Sequence, residues 1–139
     1  MATIAVAPYV LKDAILTIAT DSYEKHVSGV VFTPATSGVT WQGLTPDSAF
    51  SDSSNPVWTC QMDYAQDWTT VNSLAQYLLA NAGQQKVCVF KPLGATAGKP
   101  IFTASLLIVP GPIGGAVNTV QTGTVTMGVI GQPVKTVAP

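Results

Sequence analysis

Residues 57–83 read VWTCQMDYAQDWTTVNSLAQYLLANAG, and the spacing of their apolar side chains changes partway along. Up to Ala65 the period is two. Trp58, Cys60, Met62 and Tyr64 fall on one side and Thr59, Gln61 and Asp63 on the other, the pattern of a strand with one face against a core. Beyond Asp67 the period lengthens: Val71, Leu74, Ala75, Leu78, Leu79 and Ala82 follow the i, i+3, i+4, i+7 spacing that predicts an amphipathic helix over about residues 69–82. Asp67, Thr69 or Thr70 offers a side-chain oxygen to the free N–H groups at its start, and Gly83 suits the left-handed position that ends a helix. A helix this short is marginal alone in water, so its stripe is expected to pack on a sheet.

Outward from this stretch, alternation dominates. KDAILTIAT (12–20) places Ala14, Leu16 and Ile18 on one side; EKHVSGVVFT (24–33) is a strand made irregular by Gly29; VTWQG (39–43) is short. KVCVFK (86–91), IFTASLLIV (101–109) and VNTVQTGTVTMGV (117–129) complete the set, with 17 Val and 17 Thr supplying β-branched bulk. The expected fold is mainly β, an antiparallel β-sandwich or barrel with one flanking α-helix, in a single domain spanning residues 1–139. Residues 1–10 and 134–139 read as flexible arms. LTPDSAFSDSSNP (44–56) reads as a mobile loop with Phe50 at its centre. Residues 101–130 carry no charge and are expected to fold back as a hairpin at Pro-Gly-Pro-Ile-Gly-Gly.

The composition departs from the ordinary in charge. Charged residues make up 9% of the chain against about 25% typically, and the net charge is −1. Little repulsion holds such molecules apart, so self-association is the first physical expectation. There is no Arg, and the six lysines (Lys12, Lys25, Lys86, Lys91, Lys99 and Lys135) are isolated, which argues against tight or sequence-reading nucleic-acid binding. The N-terminal MATIAVAPYV has no basic stretch and is interrupted by Pro8, so it does not read as a secretory signal. No run reaches the roughly 18–20 apolar residues of a membrane helix. The expectation is a product made and kept in the cytoplasm until it assembles.

Catalytic parts are few. His26 is the only histidine and reads as a strand-surface residue; no nucleophile or orienting acid is placed for it. Cys60 and Cys88 read as small buried apolar side chains, a disulfide requiring that their strands face each other, and they lack the close pairing of a zinc site. Asp47 and Asp52 lack calcium-loop spacing and read as solvated loop acids. The glycines of PGPIGG are followed by no Lys-Ser/Thr pair and form a turn rather than a phosphate loop. Trp41, Trp58 and Trp68 offer a sugar platform only if exposed together. No catalytic, cofactor or metal site is expected.

The order of elements now becomes informative. A Trp-bearing strand leads into WTTVNSLAQYLLANAG, then a short strand, then GKPIFTASLLIVPGPIGGAVNTVQTGTVTMGVIGQPV with Pro112, Gly114 and Gly115 at its bend and Gly131 and Pro133 at its close. From about Lys12 to Val134 this resembles the major tail tube proteins of long-tailed bacteriophages. The resemblance implies a β-sandwich that forms six-membered rings, closes an inner barrel with strands from every subunit and stacks ring on ring, through loops and terminal arms, as the conduit for DNA ejection. It also implies tape-measure, tail tip and tail terminator partners, DNA passing without specific binding, residence in the virion tail and no membrane. Many members carry a further C-terminal domain, so little decoration of the tube exterior is expected here. Two groups of contact residues follow from combining the readings. Leu44, Pro46, Asp47, Phe50, Asp52 and Pro56 form the expected inter-ring loop, and Thr59, Gln61 and Asp63, or Thr122, Thr124 and Thr126, are candidates for the channel wall. The alternatives are a tube protein of a contractile injection or secretion system, which shares the fold, and a carbohydrate-binding or adhesion sandwich.

Overall fold

A computed structural model describes the whole chain, Met1–Pro139. Nine strands and one helix follow one another as β1 Ile15–Ile18, β2 Asp21–Ser22, β3 Val27–Ala35, β4 Gly38–Gln42, β5 Ala49–Ser53, β6 Val57–Ala65, α1 Leu74–Ala80, β7 Gln85–Lys91, β8 Pro100–Leu107 and β9 Thr122–Val137. Seven strands form one antiparallel sheet in the order β2-β1-β7-β8-β9-β6-β3, and β4 and β5 form a separate hairpin. The architecture is the expected mainly β one, a sandwich and not a closed barrel.

Strand β9 joins the two layers. Its first part pairs with β6, from Ala65↔Thr122 to Thr59↔Gly128, and its second part pairs with β8, from Leu106↔Val129 to Pro100↔Val137. Between Ser105↔Ile130 and Thr103↔Val134 the register slips, with Gly131 at φ +81°, so the strand bends there and passes from one layer to the other. The core lies between the layers. Leu16, Ile18, Cys88 and Leu106 meet Cys60, Met62, Tyr64 and Met127, all fully buried or nearly so, with Leu74 and Leu78 of α1 joining the same cluster. The alternation read in residues 57–65 holds, with Trp58 only half-buried at its end.

Four expectations are corrected. The helix is shorter than residues 69–82 because the chain turns before it. The Asp67 carboxylate accepts the Thr69 and Thr70 amides at 3.0 and 3.1 Å, and Asn72 stands at φ +62°, so helical geometry begins only after the N-cap Ser73. Leu74, Ala75 and Leu78 are buried, while Val71 and Leu79 of the expected stripe face solvent. Gly83 does take a left-handed φ of +85° just past the helix, its amide donating to the Ile108 carbonyl at 2.8 Å.

The second correction concerns residues 101–130, which do not form a simple hairpin. Strand β8 meets β9 only from Val129 onward, and residues 122–128 turn instead to β6, leaving a wide connection over residues 108–121. The Gln66 side chain ties this connection down, donating to the Gly114 and Thr122 carbonyls at 3.1 and 2.8 Å and accepting the Gly114 amide at 3.0 Å. A Cβ on Gly111 would overlap the Tyr64 hydroxyl, so the connection lies close over the core. Third, residues 134–137 are no arm. They pair with β8, and the Ala138 amide donates to the Lys99 carbonyl at 3.0 Å. Fourth, residues 44–56 are largely ordered: Ala49–Ser53 is strand β5, a strand hidden from hydropathy by its Ser and Asp residues.

Candidate self-assembly surfaces

Two surfaces carry the residues singled out in the sequence. The first is the β4–β5 hairpin, in which every strand residue is exposed. It is closed at both ends by polar contacts. At its base the Ser54 amide donates to the Ser37 carbonyl at 2.8 Å and the Ser37 amide to the Ser54 hydroxyl at 3.0 Å. At its tip the Gly43 amide donates to the Ser48 carbonyl at 3.0 Å, and the Thr45 hydroxyl donates to Asp47 at 2.7 Å. Asp52 accepts its neighbouring Ser53 amide at 2.8 Å. Both acids thus stabilise local turns and strand ends.

Along the hairpin, directly opposed residues share a face. Trp41 lies opposite Phe50 and Val39 opposite Asp52. The two aromatic rings stay 64% and 58% exposed, and Leu44 at the tip is fully exposed. Of the expected contact residues, Leu44, Pro46 and Asp47 sit at the tip, Phe50 and Asp52 on β5, and Pro56 beyond the base, beside β6. Trp41 and Val39 complete the apolar face and were not assigned to it from sequence. The cross-strand register that pairs them with Phe50 and Asp52 is invisible in a linear reading, although the short strand itself was visible.

The second surface is the outer face of β3, β6 and the first part of β9. Gln61 lies opposite Thr126 and Asp63 opposite Thr124, with the Thr124 hydroxyl donating to the Asp63 carboxylate at 2.7 Å. Thr122 stands opposite Ala65, and Thr59, half-buried, opposite Gly128. The two candidate sets, alternatives in the sequence, are therefore one surface. Val31 and Thr33 of β3 continue it, opposite Gln61 and Thr59. No lysine occurs in β3, in β6 or in residues 122–130, and Asp63 is the only charged residue there.

The borders of this surface are open. Strand β3 pairs on one side with β6 and on the other with nothing, and residues 122–128 have β6 as their only partner strand. Residues 1–14 lie outside every strand and join no hydrogen bond, with Ile4 and Val6 each 86% exposed.

Elsewhere the chemistry is sparse. Cys60 and Cys88 are free and fully buried, and loss of solvation pushes both thiols up to about 12. His26 is not on a strand surface as expected. It is half-buried in the turn before β3, edge-on to Tyr23 with ring centroids 5.6 Å apart, and its Nδ1 is buried without a partner. The three tryptophans belong to β4, β6 and the connection before α1. No three His, Cys, Asp or Glu side chains gather into a possible metal site, and no helix is long and apolar enough to cross a membrane. The chain matches no known family model and no curated protein.

Proposed function

We propose that this chain is a structural subunit that assembles with copies of itself into stacked rings, forming the tail tube of a long-tailed bacteriophage and so the conduit for its DNA. The observation that carries the reading is the lysine-free face of β3, β6 and the first part of β9, bordered on both sides by unpaired strand edges. Open edges are an aggregation hazard in a monomer, and closure with other copies removes it. Curving that face inward in a ring would line a channel with Thr, Gln and Asp side chains, to which DNA phosphates have no reason to adhere. The exposed β4–β5 hairpin, with Trp41 and Phe50 unsupported by a core, supplies an apolar contact from one ring to the next. Tape-measure, tip and terminator proteins would then meet the tube at its core and its two ends, and the mature subunit would reside in the virion. No catalytic role is part of the proposal.

Negative-stain microscopy of the purified chain tests it. Rings or tubes with an open axial channel are expected, and a dispersed monomer at high concentration would overturn the reading. The exposed Trp41–Phe50 pair favours one second reading, a sugar-binding module. A monomer that binds glycans and forms no rings would select it. Co-assembly with a contractile sheath would select the injection-system tube.

A further inference from the structure

An unpaired strand edge and an unpaired extended segment occur in the same chain. The edge is β3, VSGVVFTPA, whose outer side makes no backbone hydrogen bond and which bears no charged residue. Natural edges are usually blunted by Lys, by Pro or by brevity. Here the devices are a bulge between Val27 and Gly29 at one end and, at the other, Pro34, which lacks an N–H and so ends the pairing stretch at Thr33. The segment is Ala2–Ala7, ATIAVA, also uncharged, ended in the same way by Pro8. The two regular stretches, residues 2–7 and 29–33, are therefore similar in usable length.

Beside the first half of β3 lies a groove at the open seam of the sandwich, where β1 and β3 are not joined. Leu16, Val30 and Phe90 lie along it, with Lys12, Asp13, Glu24 and Lys25 among the other lining residues, two charges of each sign. A strand laid along β3 would turn alternate side chains toward this groove. In the segment the large ones, Ile4 and Val6, alternate with Thr3, Ala5 and Ala7, so one face is apolar and bulky and the other small. A lining of balanced charge suits an occupant with none. Val30 and Phe32, only partly buried against the core, gain the cover they lack.

The segment does not make this contact within its own chain. Leu11–Ala14 already line the near end of the groove, and residues 1–11 extend from there into solvent, exposed throughout. We infer that residues 2–7 of one copy add as a strand to the free edge of β3 in a second copy, with Ile4 and Val6 in the seam groove. The occupant is a second copy of this chain. The inference rests on the tube reading and specifies how neighbours join: through an interposed strand of one subunit rather than by direct contact of two sheets.

Mixed chains, each with one introduced cysteine, test it, since the native Cys60 and Cys88 are fully buried and unreactive. One preparation carries Val31→Cys, on the outward face of β3. The other carries Thr3→Cys, Ile4→Cys, Ala5→Cys, Val6→Cys or Ala7→Cys. Mild oxidation of the mixtures should give a dimer on a denaturing gel with a period of two, strong at odd positions and at least fivefold weaker at 4 and 6. Absence of any mixed dimer, or equal yield at odd and even positions, overturns strand addition whether or not tubes form. Val6→Asp is the companion variant. It should leave the monomer's melting temperature unchanged, because Val6 is 86% exposed in its own chain, and reduce assembly at least tenfold. Tubes forming normally from Val6→Asp would overturn the inference and leave the tube reading standing. The tube reading itself fails on the unmodified chain, by microscopy alone.

Discussion

Cys60 and Cys88 make the residue-scale energetics measurable. Desolvation raises both thiols from an ordinary 9.0 to about 12, so between those values the folded chain keeps protons that the unfolded chain releases. Stability from this source is complete below about pH 9 and is lost as pH rises toward about 12. Burial, reinforced by Asp21, raises Tyr23 from 10.0 to about 12 and adds to the loss one unit later. The urea midpoint should therefore hold steady from neutral pH to about 8.5 and fall beyond about 9, whereas Cys60→Ala/Cys88→Ala, less stable at the outset, should begin its fall nearer 10. Coincident curves would show that the thiols are not desolvated. Asp67 has the opposite sign. Hydrogen bonds from the Thr70 side chain and from the Thr70 and Thr69 amides hold its carboxyl well below the usual range, so its contribution is present above about pH 4 and fades as pH falls. Asp67→Asn should flatten the acid limb of the same curve. At Leu78, fully buried against the sheet, truncation to Ala should cost roughly 2–5 kcal/mol by chemical denaturation. A variant of unchanged stability would mean that α1 does not pack where the structure places it.

At the scale of elements, the proposed tube makes the hairpin the place where stability and assembly should separate. Its residues lie outside the core cluster, so Phe50→Asp should leave circular dichroism and melting temperature near native while abolishing tubes. Normal tubes from that variant would assign stacking to another surface. The same hairpin shows what a linear reading misses. Strand β6 was legible because its apolar side chains alternate over a buried face. Strand β5, AFSDS, has no buried face, so no alternation marks it. Helix α1 was legible as a helix through Leu74, Ala75 and Leu78, but its start was not. Asn72 in the left-handed region and the Asp67 turn break a stripe that hydropathy alone continues back to Val71. The departure of residues 122–128 to β6 was hidden for a different reason. Strands β6 and β8 both alternate, and register between distant strands leaves no mark in either sequence. The outward-facing residues of β6 and β9 were nevertheless correctly separated from the core ones by parity, which is why both candidate sets meet on one face.

On the scale of the whole molecule, the distribution of lysines is the property that a tube would amplify. Lys86 and Lys91 lie on β7, Lys135 on the part of β9 that pairs with β8, and Lys12, Lys25 and Lys99 outside the strands. The face of β3, β6 and residues 122–128 has none, and its only formal charge is that of Asp63. In a symmetric ring every residue on an inward face is repeated by each subunit, and again by each stacked ring. A single lysine placed there would become a continuous basic sleeve, and DNA inside it would release counterions and bind with steep salt dependence. Thr126→Lys makes the test, because Thr126 is exposed opposite Gln61 and lies outside the core. Assembled wild-type tubes should sediment no DNA at low salt, whereas Thr126→Lys tubes should take up linear DNA at about 50 mM salt and release most of it by about 200 mM. The monomer carrying the same substitution should bind none, since one added charge neutralises one phosphate. If the variant tubes hold no more DNA than wild-type tubes, the lysine-free face points away from the channel. The wall must then be assigned to the opposite layer, where Lys86 and Lys91 reside.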